Sequence, residues 1–309
     1  MKIVFMGTPE FAVPCLKALA QGKHEVVAVF TQPDKPKGRG YKMIPTPVKK
    51  VALEYEIPVY QPLSLRKGDD AEKSLKCLKE ISPDIIVVTA YGQILPKEVL
   101  ELPKYGCVNI HASILPKYRG AAPINWCILN GESKTGVTSM LMEEGLDTGD
   151  MLICHETNID ENETSQELYD RLSIMGGEVL IETLNEIENG SVVRKKQDDS
   201  LSCYSPMIKK EMSSIDFSKS VSDVHNTIRG VTGFTILGGK RLKIFRSKIE
   251  KKIILESMNG EIVNPDTFTV KCGDGGLITF IEVQLEGSKR MNTVDFLRGK
   301  KLVKGEILG

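Results

Sequence analysis

The sequence predicts an α/β chain: a mostly parallel sheet covered on both faces, then a smaller domain of short strands forming a barrel. Three observations carry this prediction. Continuous apolar runs suited to buried strands alternate with segments of helical spacing over roughly the first 190 residues. A polar, unperiodic stretch, SVVRKKQDDSLSCYSP (191–206), ends that alternation and reads as a linker. Beyond it come short strands split by glycines, the texture of a small barrel. The expected division is therefore 1–190, 191–206 and 207–309, and 309 residues also exceed what one hydrophobic core usually serves.

The elements follow in order. KIVFM (2–6) is a short buried strand ending at Gly7, EFAVPCLKALA (10–20) has helical spacing, and EVVAVF (25–30) is a second strand. TQPDKPKGRGYKMIPTP (31–47) is polar and punctuated by Pro and Gly, so it reads as a long loop. A helix at 47–55, a strand at 58–60, a helix at 69–80 and strands at 84–90 and 106–111 continue the alternation. Residues 135–157 read as two strands around the turn EEGLDTGD. Over 164–190, Leu168, Leu172, Met175, Val179, Leu180 and Leu184 fall near one helical stripe. In the last third, a helix at 220–229 precedes the strands LKIFRSKI, GEIV, FTVKC and LITFIEVQL.

Hydrophobic residues at 41% and charged residues at 27% are ordinary for a soluble globular protein. No apolar run approaches the ~18 residues of a membrane span. The opening MKIVFMGTPEF is too short in its apolar part for a signal peptide and leads straight into a strand and turn. Seven dispersed cysteines without a CxxC pair fit reduced thiols in a cytoplasm and argue against a disulfide framework or a zinc site. Net charge is zero but uneven: residues 206–309 hold 18 Lys+Arg against 12 Asp+Glu, a balance of +6, leaving −6 for the remainder. Such asymmetry fits one half meeting a polyanion, or merely a solvated basic surface.

Four segments can carry chemistry. In CVNIH, residues two apart face the same side of a strand, so Asn109 and His111 project together at its carboxyl end, where open parallel sheets bind ligands. An amide donor suits a developing oxyanion and an imidazole can move protons, which together suit acyl transfer; the plain alternative is a polar strand end. HASILPKYRGAAP is irregular and follows that strand directly, as a substrate loop or a structural connection would, with Lys117 and Arg119 binding or simply solvated. In EEGLDTGD, Asp147 either bonds its own turn or, if the strand at 135–142 lies beside the one ending at His111, meets the imidazole. Across 31–50, Lys35, Lys37, Arg39, Lys42, Lys49 and Lys50 stand against the single acid Asp34, a set able to reach a phosphate backbone or to remain solvated. Gly7 alone does not make a three-glycine dinucleotide fingerprint, and it more simply serves the strand-to-helix turn. No histidine cluster offers a metal site, so none is expected.

Together these runs resemble the methionyl-tRNA formyltransferase family. The likeness rests on FMGTPEFAVP (5–14), FTQPDKPKGRG (30–40), PTPVK (45–49), AYGQILP (90–96), NIHASILPKYRGAAPIN (109–125) and LDTGDML (146–152). It covers most of residues 1–205 and is weaker beyond. The resemblance implies a Rossmann-like formyltransferase-type sheet followed by an OB-like barrel that binds tRNA. It implies 10-formyltetrahydrofolate as formyl donor, with no metal, and the α-amino group of initiator methionyl-tRNA as acceptor, giving N-formylmethionyl-tRNA for translation initiation. Asn109, His111 and Asp147 match the family's catalytic positions, and Ser113, Ile114, Leu115 and Pro116 its folate-binding loop. Lys35, Lys37, Arg39 and Lys42 lie in the loop the family turns toward tRNA. One departure stands out: where members often carry an NPWPG-like run, this chain has RGVTGFTIL (229–237).

The expectation is thus a cytoplasmic, monomeric enzyme without membrane contact. Three rivals remain: a formyltransferase for another amine such as a sugar nucleotide or glycinamide ribonucleotide, a formyltetrahydrofolate hydrolase, and a non-catalytic tRNA-binding protein on the same scaffold.

Overall fold

The computed structural model of the chain describes residues 1–37 and 42–309, and of Lys37 and Lys42 the backbone alone. The chain gathers into two compact units. The first comprises Met1–Gly120, Thr135–Thr157 and Tyr169–Tyr204; the second comprises Ala121–Lys134, Asn158–Leu168 and Ser205–Gly309.

The chain runs β1 (Lys2–Gly7), α1 (Val13–Ala20), β2 (Glu25–Phe30), β3 (Lys35–Lys37), β4 (Lys42–Ile44), α2 (Pro47–Glu54), β5 (Val59–Tyr60) and α3 (Asp69–Ile81). It continues through β6 (Ile85–Thr89), α4 (Lys97–Leu100), β7 (Cys107–His111), β8 (Arg119–Gly120), α5 (Pro123–Leu129), β9 (Lys134–Leu141), β10 (Met151–Asn158) and α6 (Ser165–Asn189). The remainder is β11 (Tyr204–Ser205), α7 (Val221–Val231), β12 (Phe234–Leu237), β13 (Lys240–Ile253), β14 (Ile262–Asn264), β15 (Thr269–Lys271), β16 (Gly276–Leu285), β17 (Met291–Asn292) and α8 (Thr293–Gly299).

The first unit is built on a seven-stranded sheet in the order β10-β9-β7-β6-β1-β2-β5. Pairings β1–β2, β1–β6, β2–β5 and β6–β7 are parallel, and β9 joins β7 antiparallel. The apolar strands are buried end to end: all five residues of β6 and all five of β7 are inaccessible or nearly so. Full burial of each Val, Ile or Leu contributes about 1.5–3 kcal/mol, which is why continuous apolar runs select a two-sided sheet. Successive strands run outward from β1 through β2 to β5, then restart on its other side at β6. The order therefore reverses between β1 and β6, the place where such sheets open a crevice at their carboxyl ends. Thr8 and Tyr91 flank that point, with Thr8 Oγ1 donating to the Tyr91 carbonyl at 2.8 Å.

Three glycines explain close approaches in this unit. A Cβ on Gly7 would stand 2.8 Å from Ala12 Cβ, so the turn from β1 into the helix needs glycine for space. Gly176 and Gly177 sit inside α6, where glycine costs about 1 kcal/mol against alanine. They let α6 lie against β7 and α1: added Cβ atoms would be 3.2 Å from Ile110 Cγ2 and 3.3 Å from the Pro14 carbonyl oxygen. The start of α6, which belongs to the second unit, is a capping box in which Glu167 N donates to Thr164 Oγ1 at 3.3 Å and the Glu167 carboxylate accepts from Thr164 N at 3.0 Å.

Within the segment expected to be a loop, 31–47, the described residues include the short antiparallel pair β3–β4, with Lys35 opposite Ile44 and Lys37 opposite Lys42. Proline and charge masked the pairing in the sequence; it is only three residues long, so periodicity had nothing to register.

The second unit holds an antiparallel sheet in the order β12-β13-β16-β15-β14, with β17 also on β16. It curls as an OB-like half-barrel. The 14 residues of β13 shift register against β16 near Arg246 and again beyond Glu250. Such irregularities bend a strand and increase its twist, which curls the sheet. The core collects Leu242, Ile244, Val270, Ile278 and Phe280 from the strands, Phe268 from the turn before β15, and Val224 and Ile228 from α7. Helix α5 packs on α7 in this same unit, with Asn125 Nδ2 donating to the Gly230 carbonyl at 2.7 Å. The RGVTGFTIL stretch ends α7 and begins β12. Arg229 is buried there, donating to Asn226 Oδ1 and to the carbonyls of Asp160 and Glu163. Gly233 follows because a Cβ would stand 2.8 Å from Ile215. Among the described residues, no helix is long and apolar enough to cross a membrane.

Candidate active site

Asn109 and His111 are the third and last residues of β7, and both point to one face at its carboxyl end. Their partners on β9 are Met140 and Thr138, so these side chains share that face. The strand at 134–141 does lie beside the one ending at His111, which is the condition under which Asp147 meets the imidazole. Asp147 Oδ2 stands 3.7 Å from His111 Nδ1, with side-chain exposures of 13% and 7%.

That distance is within ion-pair range but too long for a hydrogen bond. The ring is oriented instead by its other nitrogen, since His111 Nε2 lies 2.9 Å from the Tyr118 carbonyl oxygen. A carbonyl only accepts, so Nε2 carries a hydrogen and Nδ1 is the nitrogen able to take a proton. Asp147 places its carboxylate by accepting from Gly120 N at 2.8 Å. Asn109 is nearly buried, and its amide has no hydrogen-bond partner among the described residues. It is therefore a free polar group beside an oriented imidazole.

The turn that carries Asp147 is tightly determined. Asp147 adopts φ of 54°, in the left-handed region that asparagine and aspartate tolerate better than most. A Cβ on Gly149 would stand 1.7 Å from the Leu141 carbonyl oxygen, so only glycine lets the turn press against the end of β9. Gln197 closes the turn from outside. Its Nε2 donates to the carbonyls of Asp147 at 2.9 Å and Gly149 at 2.8 Å. Its Oε1 accepts from Arg119 Nε at 3.0 Å and Nη2 at 2.8 Å.

The loop after β7 turns back on itself. Ser113 is buried, with Oγ donating to the Lys117 carbonyl at 2.7 Å, and Leu115 packs with Met140 and Met151. Thr138 Oγ1 donates to the Ser113 carbonyl at 2.7 Å and accepts from Leu115 N at 3.3 Å, pinning the loop to β9. The Leu115–Pro116 peptide is cis. Ile114 and Pro116 stay half-exposed. Ser113 and Leu115 thus shape the loop, and Ile114 and Pro116 present its accessible apolar edge.

Of the basic residues, Lys35 is exposed on β3. Arg39 lies outside the described residues, as do the side chains of Lys37 and Lys42. Lys49 is committed elsewhere: it pairs with Asp34 at 2.7 Å and donates to Gln61 Oε1 at 2.7 Å, while Gln61 Nε2 donates to Asp34 Oδ1 at 2.7 Å. The Lys49 ammonium and the Gln61 amide hold the Asp34 carboxyl below the usual carboxylate range. This three-residue knot ties down the foot of the β3–β4 pair. Arg119, which the sequence left as either a binding or a solvated cation, is mostly buried and engaged by Gln197 and by Asp199 at 2.8 Å.

Sequence reasoning missed three contributors: the Tyr118 carbonyl, Gly120 N and Gln197. The first two are main-chain groups with no residue-type signature. Gln197 sits in the polar stretch 191–206, where nothing marks one polar residue as buried. Lys195, which exchanges backbone hydrogen bonds with Met151 at 2.9 Å in each direction, holds that stretch against β10.

Comparison with known proteins matches the chain to a family. The model of the family described as "Formyl transferase" matches residues 1–184, and that of "Formyl transferase, C-terminal domain" matches 207–301. A Geotalea uraniireducens protein named methionyl-tRNA formyltransferase is 50% identical over 315 residues, covering 100% of this chain and 98% of its own length. A Clostridium novyi protein of the same name is 50% identical over 308 residues, covering 98% of each. Among solved structures, the sugar 3N-formyl transferase WlaRD, determined with dTDP and 5-N-formyl-THF, aligns with a TM-score of 0.68 at 25% identity. That match covers 94% of this chain and 99% of WlaRD.

Proposed function

This chain belongs to the methionyl-tRNA formyltransferase family, and from that premise we propose that it transfers the formyl group of 10-formyltetrahydrofolate to the free α-amino group of initiator methionyl-tRNA. The observation that carries the reading is the pair Asn109 and His111 on one face of β7, with the Asp147 carboxylate 3.7 Å from the ring.

The reaction follows from those groups. The attacking amine must be neutral, and a free α-amino group with a pKa of about 7.7–8.0 is partly so near neutral pH. Attack on the formyl carbon forms the new C–N bond and puts negative charge on oxygen. The free amide of Asn109 donates to that oxyanion; in other enzymes one such donor contributes about 2.7–4 kcal/mol. His111 Nδ1 takes the proton leaving the amine and returns it to the folate nitrogen as the old C–N bond breaks. Proton transfer of this kind contributes about 10²–10⁴-fold. Asp147 faces Nδ1 and stabilises the charge that arrives there, while the Tyr118 carbonyl keeps the ring from turning. Ser113, Ile114, Leu115 and Pro116 form the folate loop, with Ile114 and Pro116 as its accessible edge.

Lys35, Lys37, Arg39 and Lys42 meet the tRNA backbone, as does the second unit, where Lys240, Arg241, Lys243 and Lys248 are exposed or partly exposed along β13. This assigns the amine chemistry to residues 1–190 and most tRNA affinity to 207–309, across the segment 191–206. Charged tRNA and folate as substrates place the reaction in the cytoplasm, with a single chain sufficient for it. The test is to supply formyl-labelled 10-formyltetrahydrofolate with charged initiator tRNA, and separately with an amino-sugar nucleotide. Acid-stable label on methionine is expected. Label on the sugar alone, or release of free formate alone, overturns the reading.

A further inference from the structure

Gln197 uses every hydrogen-bonding position of its side-chain amide. The two N–H groups go to the carbonyls of Asp147 and Gly149, at 2.9 and 2.8 Å, and the oxygen takes two N–H groups of Arg119, at 3.0 and 2.8 Å. Guanidinium only donates and carbonyls only accept, so these partners fix which way the amide faces. The residue is 7% exposed, so water does not substitute for these bonds.

The contacts form a ring. Arg119 holds Gln197 with its side chain; the next residue, Gly120, donates its N–H to Asp147 Oδ2 at 2.8 Å; Gln197 holds the Asp147 carbonyl. Asp147 is therefore held at its carboxylate by Gly120 N and at its carbonyl by the Gln197 amide, which Arg119 holds in turn. It adopts φ of 54°, which is less favourable for a residue with a side chain, and Gln197 bonds that peptide directly. Asp147 itself makes no hydrogen bond to the His111 ring, so the 3.7 Å separation is set by what holds the turn.

We propose that Gln197 is a positioning residue for the transfer reaction, setting the distance between the Asp147 carboxylate and His111 Nδ1 from a segment remote in sequence. This rests on the catalytic reading of Asp147 given above. It implies that Gln197 acts on turnover through Asp147, without touching either substrate.

The test is a double-mutant cycle on the full chain, with kcat and KM measured for both substrates. Gln197→Met keeps the side-chain length and removes all four bonds. It is expected to lower kcat about ten- to a hundredfold, the scale of a catalytic group misplaced by about 1 Å, with both KM values within about twofold. Gln197→Glu keeps the acceptor for Arg119 but turns a carboxylate toward two carbonyl oxygens, and the same kcat loss is expected. In an Asp147→Asn background, adding Gln197→Met should cost less than about a further twofold, because the carboxylate it places is already gone. Losses that multiply in the double variant, a kcat within twofold of the parent, or failure of both Gln197 variants to fold each overturn the proposal. Asp147→Asn alone reports on the site itself: normal turnover there removes the catalytic reading, whereas severe loss there with normal Gln197→Met turnover removes only this inference.

Discussion

His111 and Asp147 face each other across 3.7 Å without a hydrogen bond: His111 Nε2 donates to the Tyr118 carbonyl, which leaves Nδ1 with no hydrogen to offer, and Asp147 Oδ2 accepts from Gly120 N instead. The pair is thus a through-space contact assembled by main-chain groups of the loop 112–120. Its geometry depends on that loop more than on either side chain.

Removing the imidazole or the amide should abolish most turnover while leaving the fold. Asn109→Ala is expected to lower kcat about 10²–10³-fold and His111→Ala about 10²–10⁴-fold. Circular dichroism checks that both are folded; near-normal turnover in either would refute the assignment.

Gly149→Ala should fail through sterics. The new methyl would stand 1.7 Å from the Leu141 carbonyl oxygen, so the turn or the end of β9 must move. A loss above about 2 kcal/mol in denaturant unfolding is expected, with activity lost as Asp147 shifts. Unchanged stability would show that the turn can move away from the Leu141 carbonyl at no cost.

Arg39→Ala should weaken use of tRNA and spare the folate. The expected signature is a raised KM for tRNA, an unchanged KM for 10-formyltetrahydrofolate and a shallower salt dependence. Identical kinetics at moderate salt would remove the basic loop from the tRNA contact.

In the second unit, Glu167 yields a pH prediction. Burial raises its pKa, but hydrogen bonds from Thr164 and Arg246, together with the Arg246 charge, outweigh that and bring it down to about 2. A depressed carboxylate contributes stability that is present above its unfolded value, near 4.5, and is lost as pH falls toward 2. Both partners are two-fifths exposed, so solvent screening limits the contribution to about 1 kcal/mol or less. Glu167→Gln should therefore lower the Tm slightly at pH 7, and the gap from the parent should close between pH 4.5 and 2. A gap independent of pH would remove the ion pair as its cause.

The sequence carried the parts of this protein that depend on residue type and short-range spacing. Buried strands at 2–7 and 85–89 were legible because burial on both faces demands nearly unbroken apolar runs. The shared face of Asn109 and His111 follows from the two-residue period of any strand. The three-residue pair β3–β4 left no such trace, and neither did the joining of 121–134 and 158–168 to the second unit, since a helix such as α5 reads the same whichever core it covers.

What only the tertiary structure decided is how the site is held. The antiparallel placing of β9 beside β7 brings Asp147 to His111 across 36 residues of chain. The Tyr118 carbonyl and Gly120 N orient the pair, and every residue but proline offers the same main-chain groups, so sequence cannot single them out. Gln197 is one polar residue among many in its stretch until folding buries it against the Asp147 turn. Sequence determines which side chains are available for chemistry; the distances between them are set by long-range contacts that no local pattern records.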